Sequence, residues 1–376
     1  MRALSDFPNL VLTLLLFANL KSCSAESEEN TTASTYDSID WPSIDYDDIP
    51  TLCTKDHNRQ FRRWFMPLFY SFICFLGFTG NLLVILTVFY FKRLRTMTDV
   101  FLLNLSFADL LFALSLPFWV ANSTVKWVLG LALCKAVHTI YKVSFYSSMF
   151  LLSLISIDRY FAIAKAVSAH RHRSEVVFIS KVSSAVIWVM AVVFSIPEMV
   201  YTDITNNTCS PFSSSFDKTR ISIQTSQIVL AFVIPLLVMS ICYSSILKTL
   251  WQSRTFERNK AIKVILAVVI VFLLSQLPYN LVLFWTTIVI AQGGTDDCSY
   301  DNALLYATDV TQCVAFLRCC LNPFLYAFIG VKFRYDLLKL LKDWGCMTQE
   351  CFFKFTNGRR RSSWTTETET STTVYP

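Results

Sequence analysis

A chain of 376 residues is long enough for two or three soluble domains, but only 16% of its residues are charged, 54% are apolar, and 32 are Phe. The net charge is a modest +6, and the apolar residues lie in long runs rather than at core spacing. This balance excludes collagen, disordered chains, small disulfide scaffolds and ordinary soluble enzymes, and points to an integral membrane protein.

In chain order, Arg2 precedes an apolar run from Leu10 to Leu20, followed by the small residues Cys23, Ser24 and Ala25. Residues 1–25 therefore read as a removable signal peptide, because the run is about half the ~20 residues that a span needs. Residues 26–63 form an outer tail whose acids include Asp37, Asp40, Asp45, Asp47 and Asp48, with Tyr36 and Tyr46 among them. Tyrosines beside acids suit sulfation. Seven spans follow between residues 64 and 329: Trp64–Phe91, Val100–Ala121, Lys135–Ala162, Val182–Tyr201, Ile221–Leu247, Val264–Ala291 and Ala303–Ile329. Backbone amides cannot stay unpaired in hydrocarbon, so these spans must be helices. Residues 330–345 are expected to form a short amphipathic helix, and 346–376 a Ser/Thr-rich cytoplasmic tail. The loops after the odd-numbered spans carry twelve basic residues, the others three. That bias places the first set, and the C-terminus, in the cytoplasm.

Cysteines and sequons sort by the same map. Cys53, Cys134, Cys209 and Cys298 fall outside the cell, where disulfides persist; four cysteines permit three pairings, and the residues alone choose none. Cys346 and Cys351 lie beyond the last span, where S-acylation is reasonable. Asn30, Asn122 and Asn206 head sequons in outward-facing segments and are expected to carry glycans, whereas the Asn104 sequon is buried in the second span.

Ionisable residues inside spans are functional by default. Asp109 lies mid-span in the second and Arg318 in the seventh; Asp158, Arg159 and Tyr160 end the third. Pro117, Pro197, Pro235, Pro278 and Pro323 interrupt spans, which suits a bundle that changes shape. There is no nucleophile–base set, metal cluster or phosphate loop, and only 8 glycines, so neither an enzyme nor a cofactor is expected. A transporter is disfavoured because the spans show no repeated halves.

Taken together, Gly80-Asn81, Leu105-Ser-Phe-Ala-Asp109, Asp158-Arg159-Tyr160, Trp188, Pro235 with Tyr243, and Asn322-Pro-Phe-Leu-Tyr326 resemble the rhodopsin-like G-protein-coupled receptors. The resemblance spans residues 53–345. Within that superfamily, Ser115-Leu-Pro-Phe-Trp119, the four outer cysteines, Gln276-Leu-Pro-Tyr-Asn280 and the acidic tail are similar to chemokine receptors. The resemblance implies a seven-helix all-α bundle with its N-terminus outside the plasma membrane, and disulfides Cys134–Cys209 and Cys53–Cys298. It also implies a basic secreted chemokine as ligand, held by the acidic tail and outer loops while its N-terminus enters a pocket of Tyr70, Trp119, Tyr141, Lys142, Gln227, Tyr279 and Gln312. A heterotrimeric G protein of inhibitory class, coupled to leukocyte homing, is the implied effector, with Arg159 as the coupling residue, resting against Asp158. Pro278, Pro323, Tyr243 and Tyr326 belong to the same switch. The alternative is a scavenging receptor that internalises ligand without a G protein; the intact Asp-Arg-Tyr favours signalling.

Receptor kinases acting on Ser362, Ser363, Thr365, Thr366, Thr368, Thr370, Ser371, Thr372 and Thr373 are expected to recruit arrestin. The basic third inner loop suits lipid headgroups; no nucleic-acid partner is expected. Three residues depart from the pattern: Ser115 for Thr, Gln276 for a Trp switch, and Gln312 for an acid that grips basic ligand tips. Many relatives hold sodium at the second-span acid, and Asp109, Ser148 and Asn322 are the parts of such a site here, with Asn81 in the same buried polar centre. Arg318, one turn before Asn322, is expected to take the ion's place. Tyr141 replaces the Asp of aminergic receptors, and the seventh span has no Lys for retinal.

Overall fold

A computed structural model describes residues 56–91, 96–164, 173–205, 207–211, 217–252, 258–294, 297–329 and 331–357. Among the described residues, seven helices are long and apolar enough to cross a membrane. The first four are α1 (Asp56–Tyr90), α2 (Met97–Thr124), α3 (Gly130–Ile163) and α4 (Arg173–Tyr201). The hairpin β1 (Thr202–Thr205) and β2 (Thr208–Pro211) follows, antiparallel with Ile204 opposite Cys209. The fifth span joins α5 (Asp217–Ile228) through a π turn at Val229–Val233 to α6 (Ile234–Gln252). The sixth is α7 (Arg258–Ala291), and the seventh comprises α8 (Cys298–Phe316) and α9 (Arg318–Ile329). Beyond it lie α10 (Val331–Asp343) and α11 (Gln349–Asn357).

The helices run past the expected spans at several ends, because polar turns continue the hydrogen-bond ladder beyond lipid. Capping fixes some of these ends. The Thr96 hydroxyl accepts from the Asp99 amide at 3.1 Å while the Asp99 carboxylate accepts from the Thr96 amide, a reciprocal box at the start of α2. Asp297 caps α8 by accepting from Ser299 and Tyr300.

Proline positions explain the irregular turns. Ile234 donates to the Val229 carbonyl, five residues back, and the next residue, Pro235, has no N–H to offer. Pro323 likewise leaves the Cys319 carbonyl without its helical donor, and the Asn81 amide supplies one from the first span at 3.0 Å. Gly80 makes that approach possible, since a Cβ there would lie 3.1 Å from the Pro323 ring. The Gly-Asn pair of the first span and the Pro of the seventh are thus one packing unit. Trp188 ties the fourth span to the second by donating to the Asn104 side chain at 3.0 Å.

In the second and third spans 61% of the most apolar window is buried, against 22% in the fourth. The third is therefore central and the fourth peripheral. Leu68, Val189, Ile241 and Leu274 stand exposed around the bundle, a belt that only lipid can cover. The helix α10 falls within the expected 330–345. The second short helix, α11, lies where only a tail is expected; Gly345 turns the chain at φ +77°, and Phe352 packs back edge-on against Tyr335 with ring centroids 5.7 Å apart.

Candidate ligand-binding and coupling site

The outer ends of the spans surround a cavity of about 680 Å³, lined on one side by the hairpin. Tyr70, Trp119, Tyr141, Lys142, Gln227, Tyr279 and Gln312 all line it. The third span contributes Tyr141 and Lys142 as adjacent residues. The aromatic floor continues inward: Trp119 meets Tyr141 edge-on at 5.3 Å, and Tyr141, Tyr70 and Phe112 each contact Phe316. Gln276, in place of an aromatic switch, is buried and donates to the Ala315 carbonyl at 3.1 Å.

Charged residues that the sequence reading passed over complete the cavity. Lys142 Nζ donates to Gln227 Oε1 at 2.5 Å and lies 2.8 Å from Glu198 Oε1, with Glu198 only 2% exposed. At the mouth, Arg62 Nε lies 2.8 Å from Asp309 Oδ2, joining the first span to the seventh. His138 stacks obliquely on Trp119 at 4.7 Å. The rule that found Asp109 and Arg318 applies equally to Glu198 and Asp309, since both fall inside the spans as read from sequence.

The hairpin roofs this cavity. Cys134 and Cys209 form a disulfide. Cys298 is also disulfide-bonded, while Cys53 lies outside the described residues. Asn122 grips the hairpin twice, donating to the Cys209 carbonyl at 2.7 Å and accepting from the Cys209 amide at 3.0 Å. A glycan would replace one hydrogen of its side-chain nitrogen and leave the other to donate, so the contact is compatible with the expected glycan at Asn122. Replacing Asn122 by Gln is expected to remove one glycan's mass on a denaturing gel and, by loosening the hairpin, to lower surface expression; an unchanged mass would refute the glycan. Asn30 and Asn206 lie outside the described residues, as do Tyr36, Asp45, Tyr46, Asp47, Asp48 and the hydroxyl cluster from Ser362 to Thr373.

Below the floor sits the buried polar centre. Asp109 is fully buried; its Oδ1 accepts from Ser148 at 2.9 Å and its Oδ2 from Asn322 at 2.6 Å. Arg318 Nη1 lies 3.7 Å from Asp109 Oδ1, and its guanidinium stands 5.9 Å from the Phe145 ring centroid. Asp109, Ser148 and Asn322 are oxygen-bearing groups of the kind a sodium ion takes, but the countercharge is already supplied by a covalently held cation. The residues present do not fit an added ion.

At the cytoplasmic end the expected direct Asp158–Arg159 pair is corrected. Successive helix residues diverge by ~100°, so they do not face one another. Thr98 of the second span bridges them instead: its hydroxyl donates to Asp158 Oδ2 at 2.5 Å and accepts from Arg159 Nη2 at 3.1 Å. Ser156 donates to the Tyr243 hydroxyl at 3.1 Å, linking the third span to the fifth. Tyr160 packs against the cluster around Tyr243. Pro278 lies inside α7 and Pro323 inside α9; the side chain of Tyr326 is outside the described residues.

Comparison with known proteins agrees with this geometry. The profile of the 7 transmembrane receptor (rhodopsin family) matches residues 80–326. C-C chemokine receptor type 7 of Homo sapiens is 48% identical over 375 residues, 98% of this chain and 97% of that receptor. The Mus musculus type 7 receptor is also 48% identical, over 98% of this chain and 97% of its own length. C-C chemokine receptor type 9 of Homo sapiens is 39% identical over 88% of this chain and 90% of its own. The chain therefore belongs to the chemokine receptors of the rhodopsin family, multi-pass receptors of the plasma membrane rather than enzymes.

Proposed function

We propose that this receptor binds a basic C-C chemokine at its outer face and, in response, activates a heterotrimeric G protein of the inhibitory class to direct leukocyte migration. The observation that carries this reading is a series of buried contacts from the cavity toward the cytoplasmic face, with Phe145 beside Arg318 and in one cluster with Tyr243. The cavity floor at Tyr141 and Phe316 stands over the Asp109–Arg318 centre, and Ser156–Tyr243 and the Thr98–Arg159 bridge lie below it at the cytoplasmic surface. A ligand N-terminus pressing on the floor has a packed route to the coupling residue. Kinases and arrestin acting on the tail from Ser362 to Thr373 complete the cycle. An intact Asp158-Arg159-Tyr160 supports signalling over scavenging. Nucleotide exchange on purified inhibitory G protein after chemokine addition tests it; internalisation of ligand with no exchange would favour the scavenger.

Capture is electrostatic in the first instance. The tail from Glu26 to Asp56 carries nine acids and one Lys, a field that steers a basic protein and raises its association rate. Changing Asp45, Asp47 and Asp48 to Asn is expected to slow association by about tenfold at low salt and to flatten its salt dependence. Unchanged rate and slope in stopped-flow binding would count against steering.

A further inference from the structure

The cavity wall carries more cations than acids. Arg59, Arg62, Arg63, Lys126, Lys142 and Arg220 line it against Glu198 and Asp309. Both acids already have partners: Glu198 lies 2.8 Å from Lys142, and Asp309 lies 2.8 Å from Arg62. Arg63 and Lys126 are exposed and meet no acid within salt-bridge distance among the described residues. Arg63 stands on α1, Lys126 between α2 and α3, and Arg220 on α5, so the surplus is spread around the mouth. A rim of that sign repels a basic ligand and attracts an acidic chain.

The receptor carries such a chain itself. Residues Glu26 to Asp56 hold nine acids and one Lys, and Asp56 opens α1 one turn before Arg59 of the cavity wall. Extended backbone covers about 3.3–3.6 Å per residue, so Asp45, Asp47 and Asp48 reach about 26–40 Å from Asp56. Packed helix axes lie ~8–10 Å apart, so that reach crosses the mouth from α1 to Lys126 and Arg220. Tethering also holds the acids at an effective concentration in the millimolar range.

We propose that, before ligand arrives, the stretch from Asp45 to Asp48 docks on the basic rim of Arg63, Lys126 and Arg220 and lies across the cavity mouth. Exposed ion pairs are individually weak, so the contact is exchangeable. A basic chemokine draws the tail off by offering it a denser set of cations, and the same movement uncovers the pocket. The contact belongs to the receptor without ligand and so goes beyond the function proposed above.

Two measurements on the full receptor in nanodiscs test it. In the first, with no chemokine present, a carbodiimide joins touching carboxylates and lysine amines with loss of water, and mass spectrometry maps the links. A link from Lys126 to the peptide holding Asp45–Asp48 is expected, and it should disappear in about 0.5 M salt. Lys135 and Lys218 sit on the outer face but do not line the cavity, and should link at least about fivefold less. If Lys126 acetylates freely yet gives no such link, or if the three lysines link equally, the docking is overturned.

In the second, chemokine association is timed by stopped flow on four receptors: native, Arg63, Lys126 and Arg220 changed to Gln, Asp45, Asp47 and Asp48 changed to Asn, and the combination. A docked tail makes the rim change speed association about threefold or more with the native tail, and clearly less with the neutral one. An equal factor in both backgrounds means that the rim merely repels the ligand, and overturns the proposal. Failure of every chemokine to bind would defeat the proposed function, while the crosslink still decides the docking.

Discussion

Replacing Arg318 by Leu will remove most of the ligand-competent receptor, and adding Asp109→Asn to that variant will return part of it. Asp109 is fully buried and Arg318 is 6% exposed, with the Arg318 guanidinium 3.7 Å from the carboxylate. Losing one partner of such a pair costs about 3–5 kcal/mol, because the remaining charge has no solvent to turn to. Removing both charges leaves a neutral asparagine amide that can still bond Ser148 and Asn322, so the double variant should outlive the single one. Among the described residues the Arg318 Nε and Nη1 have no hydrogen-bond partner, so the pair holds by charge and packing rather than by a full set of bonds. Radioligand binding on membranes, normalised to surface receptor, provides the measurement. The same pair predicts that exchanging sodium for potassium at fixed ionic strength will not move chemokine affinity. A sodium-specific drop, or a double variant worse than Arg318→Leu, would show that the charges do not neutralise one another.

Arg159→Ala will reduce chemokine-stimulated nucleotide exchange to the unliganded level, while chemokine affinity changes by no more than about twofold because the two sites are remote. Arg159 is exposed at the cytoplasmic edge and tethered through Thr98, so its removal leaves no buried orphan and the fold should survive. Thr98→Val reports on the opposite side of the equilibrium. Without the bridging hydroxyl, Asp158 no longer restrains Arg159 indirectly, and basal exchange should rise above that of the native receptor. If Arg159→Ala retained full exchange, coupling would have to run through another residue.

Hydropathy and charge were enough to place seven spans and to orient them, because the bilayer demands long apolar helices and the cytoplasm retains basic loops. Ends were less legible: the polar turn from Asp56 to Arg63 carries no hydropathy signal, yet its ladder is continuous with α1. The pocket residues Tyr141 and Gln227 were accessible only through resemblance, since nothing in their local pattern separates them from packing residues, whereas Lys142, a charge inside the third span, falls under the rule that singles out Asp109. Glu198 and Asp309 were legible and were passed over, as both lie near span ends where a charge is easily read as solvated. The Asp158–Arg159 contact failed for a geometric reason, adjacency in sequence being a poor guide to adjacency on a helix. The nine residues of α11 follow a turn and are too short for a span, so periodicity gave no separate element.

The seventh span tightens for one residue between α8, ending at Phe316, and α9, beginning at Arg318. Leu317 keeps helical backbone angles, its amide donates to Cys313 and Val314, and its carbonyl accepts from Cys320 and Leu321, so the ladder runs through the turn. Gln312 at the cavity and Asp309 at its mouth therefore share one continuous rod with Arg318, Asn322 and Pro323. Just inward of Arg318, Asn81 bonds the Cys319 carbonyl and Gly80 lets the first span close on Pro323. A rod held at that depth is a lever whose fulcrum is the first span, and the buried charges sit beside the fulcrum, where displacement is least.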